Sequence, residues 1–185
     1  AIISGSQSSV YDDRPWIQTL SRWVEGALAD DLPMLGVCWG HQLLAQVLGG
    51  TVKGGNYELG YVEVHQEVED PIWNGIPNPF TVFATHSDHV VALPSDATLL
   101  ASNETGVQAF RHGQVYAVQF HPEYDLETAK AMIHSKDIAD ASIQAALDSC
   151  TEANVSAAQA PKQIFDNFLQ HVDQAQPALP SFSDS

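Results

Sequence analysis

The sequence predicts an α/β fold, a sheet with covering helices, from three features of its hydrophobic pattern. Pro33 to Val37 is a short apolar run followed directly by a helical stretch, which makes a strand, turn and helix unit. Trp16 to Leu28 places apolar side chains at three-and-four spacing, the mark of an amphipathic helix. Beyond Thr51 the pattern turns to alternation, interrupted by Pro71, Gly75, Pro77 and Pro79, as expected of strands joined by turns. Helix-flanked strands followed by a strand-rich middle bury their apolar faces as a sheet covered by helices.

Taken in order, Ala1-Ile2-Ile3 reads as the end of a short buried strand and Ser4 to Ser9 as a flexible turn. Asp12 and Asp13 are the expected caps of the Trp16 to Leu28 helix, with Pro15 in its first turn, where a missing N–H does no harm. The tryptophans of that helix are expected in the core. After Cys38 a helix from His41 to Leu48 stops at Gly49-Gly50. Tyr61-Val62-Glu63-Val64-His65 and Phe80-Thr81-Val82-Phe83 alternate as antiparallel strands do, and Leu99 to Ser102, Val107 to Arg111 and Val115 to Phe120 continue the set. From Leu126 the chain is Ala-rich and helical, with a break at Pro161 before a last helix from Ile164 to Val172. We expect one domain over residues 1–175 and a frayed tail over 176–185, which holds two prolines and three serines.

A single domain of 185 residues can bury about 70% of its unfolded surface, enough to enclose a cleft. No apolar run reaches the roughly 18 to 20 residues that span a bilayer, so no membrane role is expected. The 23 Asp and Glu against 7 Lys and Arg give a formal net charge of -16, which argues against a nucleic-acid partner. Two cysteines are too few for a disulfide framework, and a reducing, cytoplasmic setting fits them. Such an excess of negative charge repels itself in dilute salt, and together with only four lysines it points to a halophilic source over an ordinary acidic cytosolic protein. The melting temperature should accordingly rise between about 0.1 and 1 M potassium chloride, as the screening length falls from about 10 to 3 Å. A flat thermal profile over that range would remove the halophilic reading.

The chemistry concentrates at Gly36-Val37-Cys38-Trp39-Gly40, a sharp strand-to-helix turn with cysteine at the exposed apex. Glycines at both offsets flank roughly one Cys in two hundred by chance at average usage, so a merely structural cysteine is the weaker reading. The helix that follows favours the thiolate, since its N-terminal amides carry partial positive charge. A thiolate attacking an amide needs a proton carrier, and of the eight histidines His121 has the best setting. It precedes Pro122 and is held extended, which puts Glu123 on the same side of the chain, where it can orient the imidazole. His41, His65, His86, His89 and His112 lack a ligand spacing, and no metal is expected.

Five segments in order carry a resemblance: Ile3-Ser4-Gly5-Ser6, Gly36 to Gln42, Tyr57-Glu58-Leu59-Gly60, His86-Ser87-Asp88-His89-Val90 and Gln119-Phe120-His121-Pro122-Glu123. With the Phe165-Asp166-Asn167-Phe168 helix they resemble class I glutamine amidotransferases, especially free-standing members similar to the amidotransferase part of GMP synthase. The resemblance implies a flavodoxin-like three-layer sandwich with a largely parallel central sheet, a smaller antiparallel section and covering helices. It implies Cys38 as nucleophile, His121 as acid and base, and Glu123 as its orienting group. The amide of Trp39 and the Gly5 to Ser6 turn would hold the oxyanion, Gln42 would contact bound L-glutamine, and the backbone around Ser87 and Asp88 would hold its amino-acid end. No cofactor is implied, and a separate synthetase subunit would receive the ammonia.

Two departures stand out. Ser6 and Gln7 replace a second glycine and proline that many members have, and the strand, helix and strand that members carry before Ile3 have no counterpart ahead of Ala1, so the chain is expected to be a fragment of the encoded protein. A γ-glutamyl peptidase using the same three residues and a catalytically silent regulatory relative are the alternatives.

Overall fold

In the computed structural model, residues 1–175 are described, and the tail expected over 176–185 falls outside them. Among the described residues, seven strands and six α-helices run β1 (Ile2–Ile3), α1 (Pro15–Ala29), β2 (Met34–Val37), α2 (Trp39–Val47), β3 (Thr51–Gln66), β4 (Phe80–Ala92), β5 (Thr98–Asn103), β6 (Gly106–His112), β7 (Val115–Val118), α3 (Leu126–His134), α4 (Asp140–Asp148), α5 (Glu152–Ala157) and α6 (Gln163–Ala175). The strands form one sheet of order β1-β2-β7-β6-β5-β3-β4.

The sheet has a parallel and an antiparallel section, as expected, with helices around it. β1, β2 and β7 are parallel, and every pairing from β7 across to β4 is antiparallel. The antiparallel section is larger than the resemblance implied, and connection length is a reason. Only Glu104 and Thr105 join β5 to β6, and only Gly113 and Gln114 join β6 to β7, so these neighbours have to run in opposite directions.

Strand alternation sends side chains to two helical layers. From β7, Val115 and Ala117 join Ile17 and Val24 of α1 and Leu43 and Leu44 of α2 on one face. Tyr116 and Val118 point the other way, to Ile164 and Phe168 of α6 and to Ile72 and Trp73. Phe168 is fully buried, a contribution of about 2 to 3 kcal/mol from area alone. Asn167 beside it donates to the carbonyls of Ile72 and Asn74 at 2.8 and 2.9 Å, which docks α6 on the loop after β3. A third cluster sets Ala129 and Ile133 of α3 and Ala146 of α4 against Tyr61 and Phe83, beside the antiparallel end of the sheet.

Three local expectations are corrected. Arg14, not Asp12 or Asp13, stands at the N-cap of α1, and no side chain caps it. Asp13 accepts instead from Gln18, and Asp12 from the amide of Ser9, because the turn before the helix aims both carboxylates elsewhere. Trp16 and Trp23 are 43% and 47% exposed; the buried stripe of α1 is Ile17, Val24 and Ala27. Ile2 is 53% exposed because β1 forms the sheet edge, and only Ile3 turns inward. No described helix is long and apolar enough to cross a membrane.

Candidate active site

All three parallel strands end at one place. β1 leads into Ser4-Gly5, β2 into Cys38, and β7 through Gln119 and Phe120 into His121. Parallel strands share a direction, so their carboxyl ends open on one edge of the sheet, the usual site of ligands in α/β folds.

Cys38 sits at the apex of the turn with φ 53° and ψ -103°, a conformation that side chains rarely adopt. Its amide is held by the carbonyl of Val118 at 2.8 Å, which ties the apex to β7. The flanking glycines make the turn possible. A Cβ on Gly36 would lie 2.6 Å from the backbone of Gly40, and one on Gly40 would lie 2.1 Å from the carbonyl oxygen of Ile3. α2 thus begins in contact with β1 and β2, and the sulfur stands above its first turn.

His121 is anchored by its amide to the carbonyl of Phe83 at 2.8 Å, and its Nδ1 donates to Glu123 Oε1 at 2.7 Å. Gly5 fits where the ring and Cys38 meet, for a Cβ there would be 3.0 Å from His121 Cε1 and 3.7 Å from Cys38 Cβ. Cys38 and His121 are each 6% exposed. Burial alone pushes the His121 imidazole down, but the adjacent Cys38 sulfur and the Glu123 carboxylate outweigh it and carry it up to about 9. Tyr124 stacks on the ring with centroids 4.3 Å apart, and Phe83 backs the tyrosine at 5.5 Å. Burial, then the charges of Glu123 and Cys38, push the Tyr124 hydroxyl up to about 12, so it stays neutral.

Raised proton affinity has a consequence for stability. His121 binds its proton more tightly in the folded chain, so its contribution is full below about pH 6.5 and is lost as the pH rises through about 9. The melting temperature of the wild type should fall relative to His121→Asn across that window, and parallel curves would show that His121 gains no proton affinity on folding.

Of the other predicted residues, Trp39 opens α2 with its amide at the helix N-terminus, and Ser6 is exposed with its hydroxyl accepting from the amide of Ser8. Gln42 donates both amide hydrogens within the protein, to the carbonyl of Asp88 at 2.9 Å and to Gln119 Oε1 at 3.2 Å. Its carbonyl oxygen is what remains for a ligand. Asp88 lines the cleft, but its carboxylate accepts from Ser9 at 2.6 Å and Tyr11 at 2.8 Å, which fastens the loop after β1 to β4. Ser87 lines the same cleft.

The cleft has a volume of about 530 Å³. Tyr57, Thr85, Tyr124, Met132 and Lys136 also line it, and the sequence pattern missed all five. Two of them carried a signal, Tyr57 as the first residue of the Tyr57-Glu58-Leu59-Gly60 segment and Tyr124 by its place beside Glu123. Lys136 follows α3, which chain order alone does not bring to Cys38; its ammonium lies 5.7 Å from the Tyr57 ring centre. Of the other histidines, His86 also lines the cleft, while others lie apart from it. His41 is fully buried on Gln119, pushed down to about 3 by burial and the nearby His86. His65 pairs on the surface with Glu63, and His89 meets the carbonyl of Asn56. Among the described residues, no three His, Cys, Asp or Glu side chains converge as a metal cluster.

The family described as glutamine amidotransferase class-I matches residues 1–141, a span that contains the turn, the cleft and the Cys38, His121 and Glu123 constellation. The chain belongs to that family. A subunit of the glutamine-hydrolyzing GMP synthase of Methanococcus vannielii is 44% identical over 101 residues, 52% of this chain and 53% of that one. The glutamine-hydrolyzing GMP synthase of Pyrobaculum aerophilum is 42% identical over 123 residues, 66% of this chain and 23% of its own. The chain therefore spans about half the length of the Methanococcus relative it matches. The solved structure of a glutamine amidotransferase from Thermotoga maritima superposes with a TM-score of 0.76 at 24% identity, over 94% of this amidotransferase chain and 78% of its own, a likeness of fold.

Proposed function

We propose that this amidotransferase chain hydrolyses the side-chain amide of L-glutamine and supplies ammonia to a separate synthetase. What supports the reading is the meeting of Cys38, His121 and Glu123 at the ends of three parallel strands, in a cleft. The Cys38 sulfur attacks the amide carbon of glutamine, and the oxyanion is held by the amides of Trp39 and Ser6. His121 gives its proton to the departing nitrogen, ammonia leaves, and a γ-glutamyl thioester remains. Water then adds to the thioester as His121 takes a proton from it, and glutamate and the free thiol are released. Glutamine and water become glutamate and ammonia in equal amounts. Glu123 holds the ring so that Nε2 faces the sulfur.

Ammonia is of use only to an enzyme that aminates, and a relative that is one subunit of a glutamine-hydrolyzing GMP synthase suggests a synthetase of that kind. A cytoplasmic setting suits a thiol nucleophile, which has to stay reduced. The direct test is to incubate the protein with L-glutamine and with γ-glutamyl dipeptides, measuring glutamate and ammonia. One-to-one release from glutamine, with dipeptides far slower, is expected; faster dipeptide cleavage would make the chain a γ-glutamyl peptidase.

The ionic state of the site gives a separate prediction. With a protonated His121 beside the sulfur, iodoacetamide should label Cys38 quickly at pH 6. Glu123→Gln should react more slowly there and His121→Asn slowest, by roughly tenfold or more. A single common rate for the three proteins would dissolve the proposed pair.

A further inference from the structure

Two of the five signature segments contain a buried pair that the reaction above does not use. Glu58 and His86 are 7% and 5% exposed, and Glu58 Oε2 lies 2.7 Å from His86 Nε2. The carboxylate is saturated: Gln108 also donates to Oε2 at 3.1 Å, and Asn103 and Thr105 donate to Oε1 at 2.7 and 3.1 Å. Burial alone raises the Glu58 carboxyl, but His86 and the two side-chain amides more than offset it and hold it below its usual range.

On its other side, His86 Nδ1 lies 3.0 Å from the carbonyl oxygen of Asp88. Both ring nitrogens thus face oxygens that carry no hydrogen, and both contacts are satisfied only if each nitrogen bears one. The same Asp88 oxygen accepts from Gln42 Nε2, and the Asp88 carboxylate holds Ser9 and Tyr11 of the loop after β1. Asp88 is therefore the joint between β4, α2 and the loop beside Cys38.

That joint lies where the ladder cannot hold it. Between the pairs Gly54↔Asp88 and Glu58↔His86, β3 spends three residues while β4 spends only Ser87, so regular pairing is interrupted at the cleft wall. We propose that Glu58 and His86 form a charged brace that takes over from the missing ladder, fixing the Asp88 carbonyl and the Gln42 amide so that the cleft is preformed for the amino-acid end of its ligand. The two are positioning residues. His86 lines the cleft, but neither residue hydrogen-bonds the Cys38 sulfur, so the brace governs affinity and leaves the bond-breaking steps alone. The kinetic part of this inference rests on the glutaminase reading.

The test uses Glu58→Gln, His86→Gln and the double variant. With L-glutamine, each single variant should raise KM by about tenfold or more, the scale of a lost hydrogen bond to a charged group, while kcat and the iodoacetamide labelling rate of Cys38 stay within about threefold. The double variant should be no worse than the poorer single one, because either change breaks the same brace. Additive losses, or a fall in kcat at unchanged KM, would overturn it.

A second measurement does not depend on turnover. In nitrogen-15 spectra the wild type should show two protected ring N–H signals for His86, and Glu58→Gln should lose one and shift the side-chain amide of Gln42. One ring signal in the wild type, or an unmoved Gln42 amide, overturns the brace even if the protein releases no glutamate. Two ring signals and a shifted amide in a protein without glutaminase activity would support the brace and reject the glutaminase reading.

Discussion

Cys38→Ala is expected to reduce glutamate release from L-glutamine by roughly ten-thousandfold or more while leaving the fold in place. The size follows from removing the atom that forms the covalent bond: binding and oxyanion contacts survive, but no thioester forms. The fold should persist because alanine keeps the Cβ at the strained apex, and the bond from the Cys38 amide to Val118 does not involve the sulfur. The sulfur's packing near the Thr85 carbonyl and its contact with His121 are lost. The check pairs a glutamate assay with thermal melting and with mass spectrometry after iodoacetamide, in which the half-buried Cys150 becomes the sole labelled thiol. Glutamate release at the parental rate would end the assignment of the nucleophile.

Gly40→Ala should have the largest effect on stability. The new Cβ would fall 2.1 Å from the Ile3 carbonyl oxygen, which is backbone on both sides of the clash and has no flexible end to yield. α2 would have to move away from β1, and the amide of Trp39 and the loop carrying Gly5 would move with it. We expect a loss of about 3 kcal/mol or more, a fall in melting temperature of the order of 10 °C, and loss of glutamine hydrolysis. Gly26→Ala is the control: nothing lies within 4 Å of a Cβ there, and alanine suits a helix better, so the melting temperature should hold or rise. Equal melting of Gly40→Ala and wild type would show that the turn is looser than its contacts indicate.

Much of the site was legible because its signals are local. Glycines two residues either side of Cys38 report a close approach of backbone to backbone, and the order His121, Pro122, Glu123 reports a short extended stretch, whatever the rest of the chain does. The covering helices were legible for the same reason, since three-and-four spacing reflects one buried face. What failed was equally physical. Trp16 and Trp23 read as core because they are large and apolar, yet they lie outside the Ile17, Val24 and Ala27 stripe, on the side of α1 that β1, as the sheet edge, leaves uncovered.

Residue identity and near-neighbour spacing by themselves determined the apex cysteine, the extended His121-Pro122-Glu123 stretch, the α/β class and the negative charge. The partners of Asp88, the Glu58 and His86 brace, the ring of Tyr124 over His121 and the place of Lys136 were decided by tertiary structure alone. Ser9 meets Asp88 across 79 positions of chain, and Gln108 meets Glu58 across 50. A periodic pattern records which face a side chain turns toward, and it holds no information about which distant residue waits there.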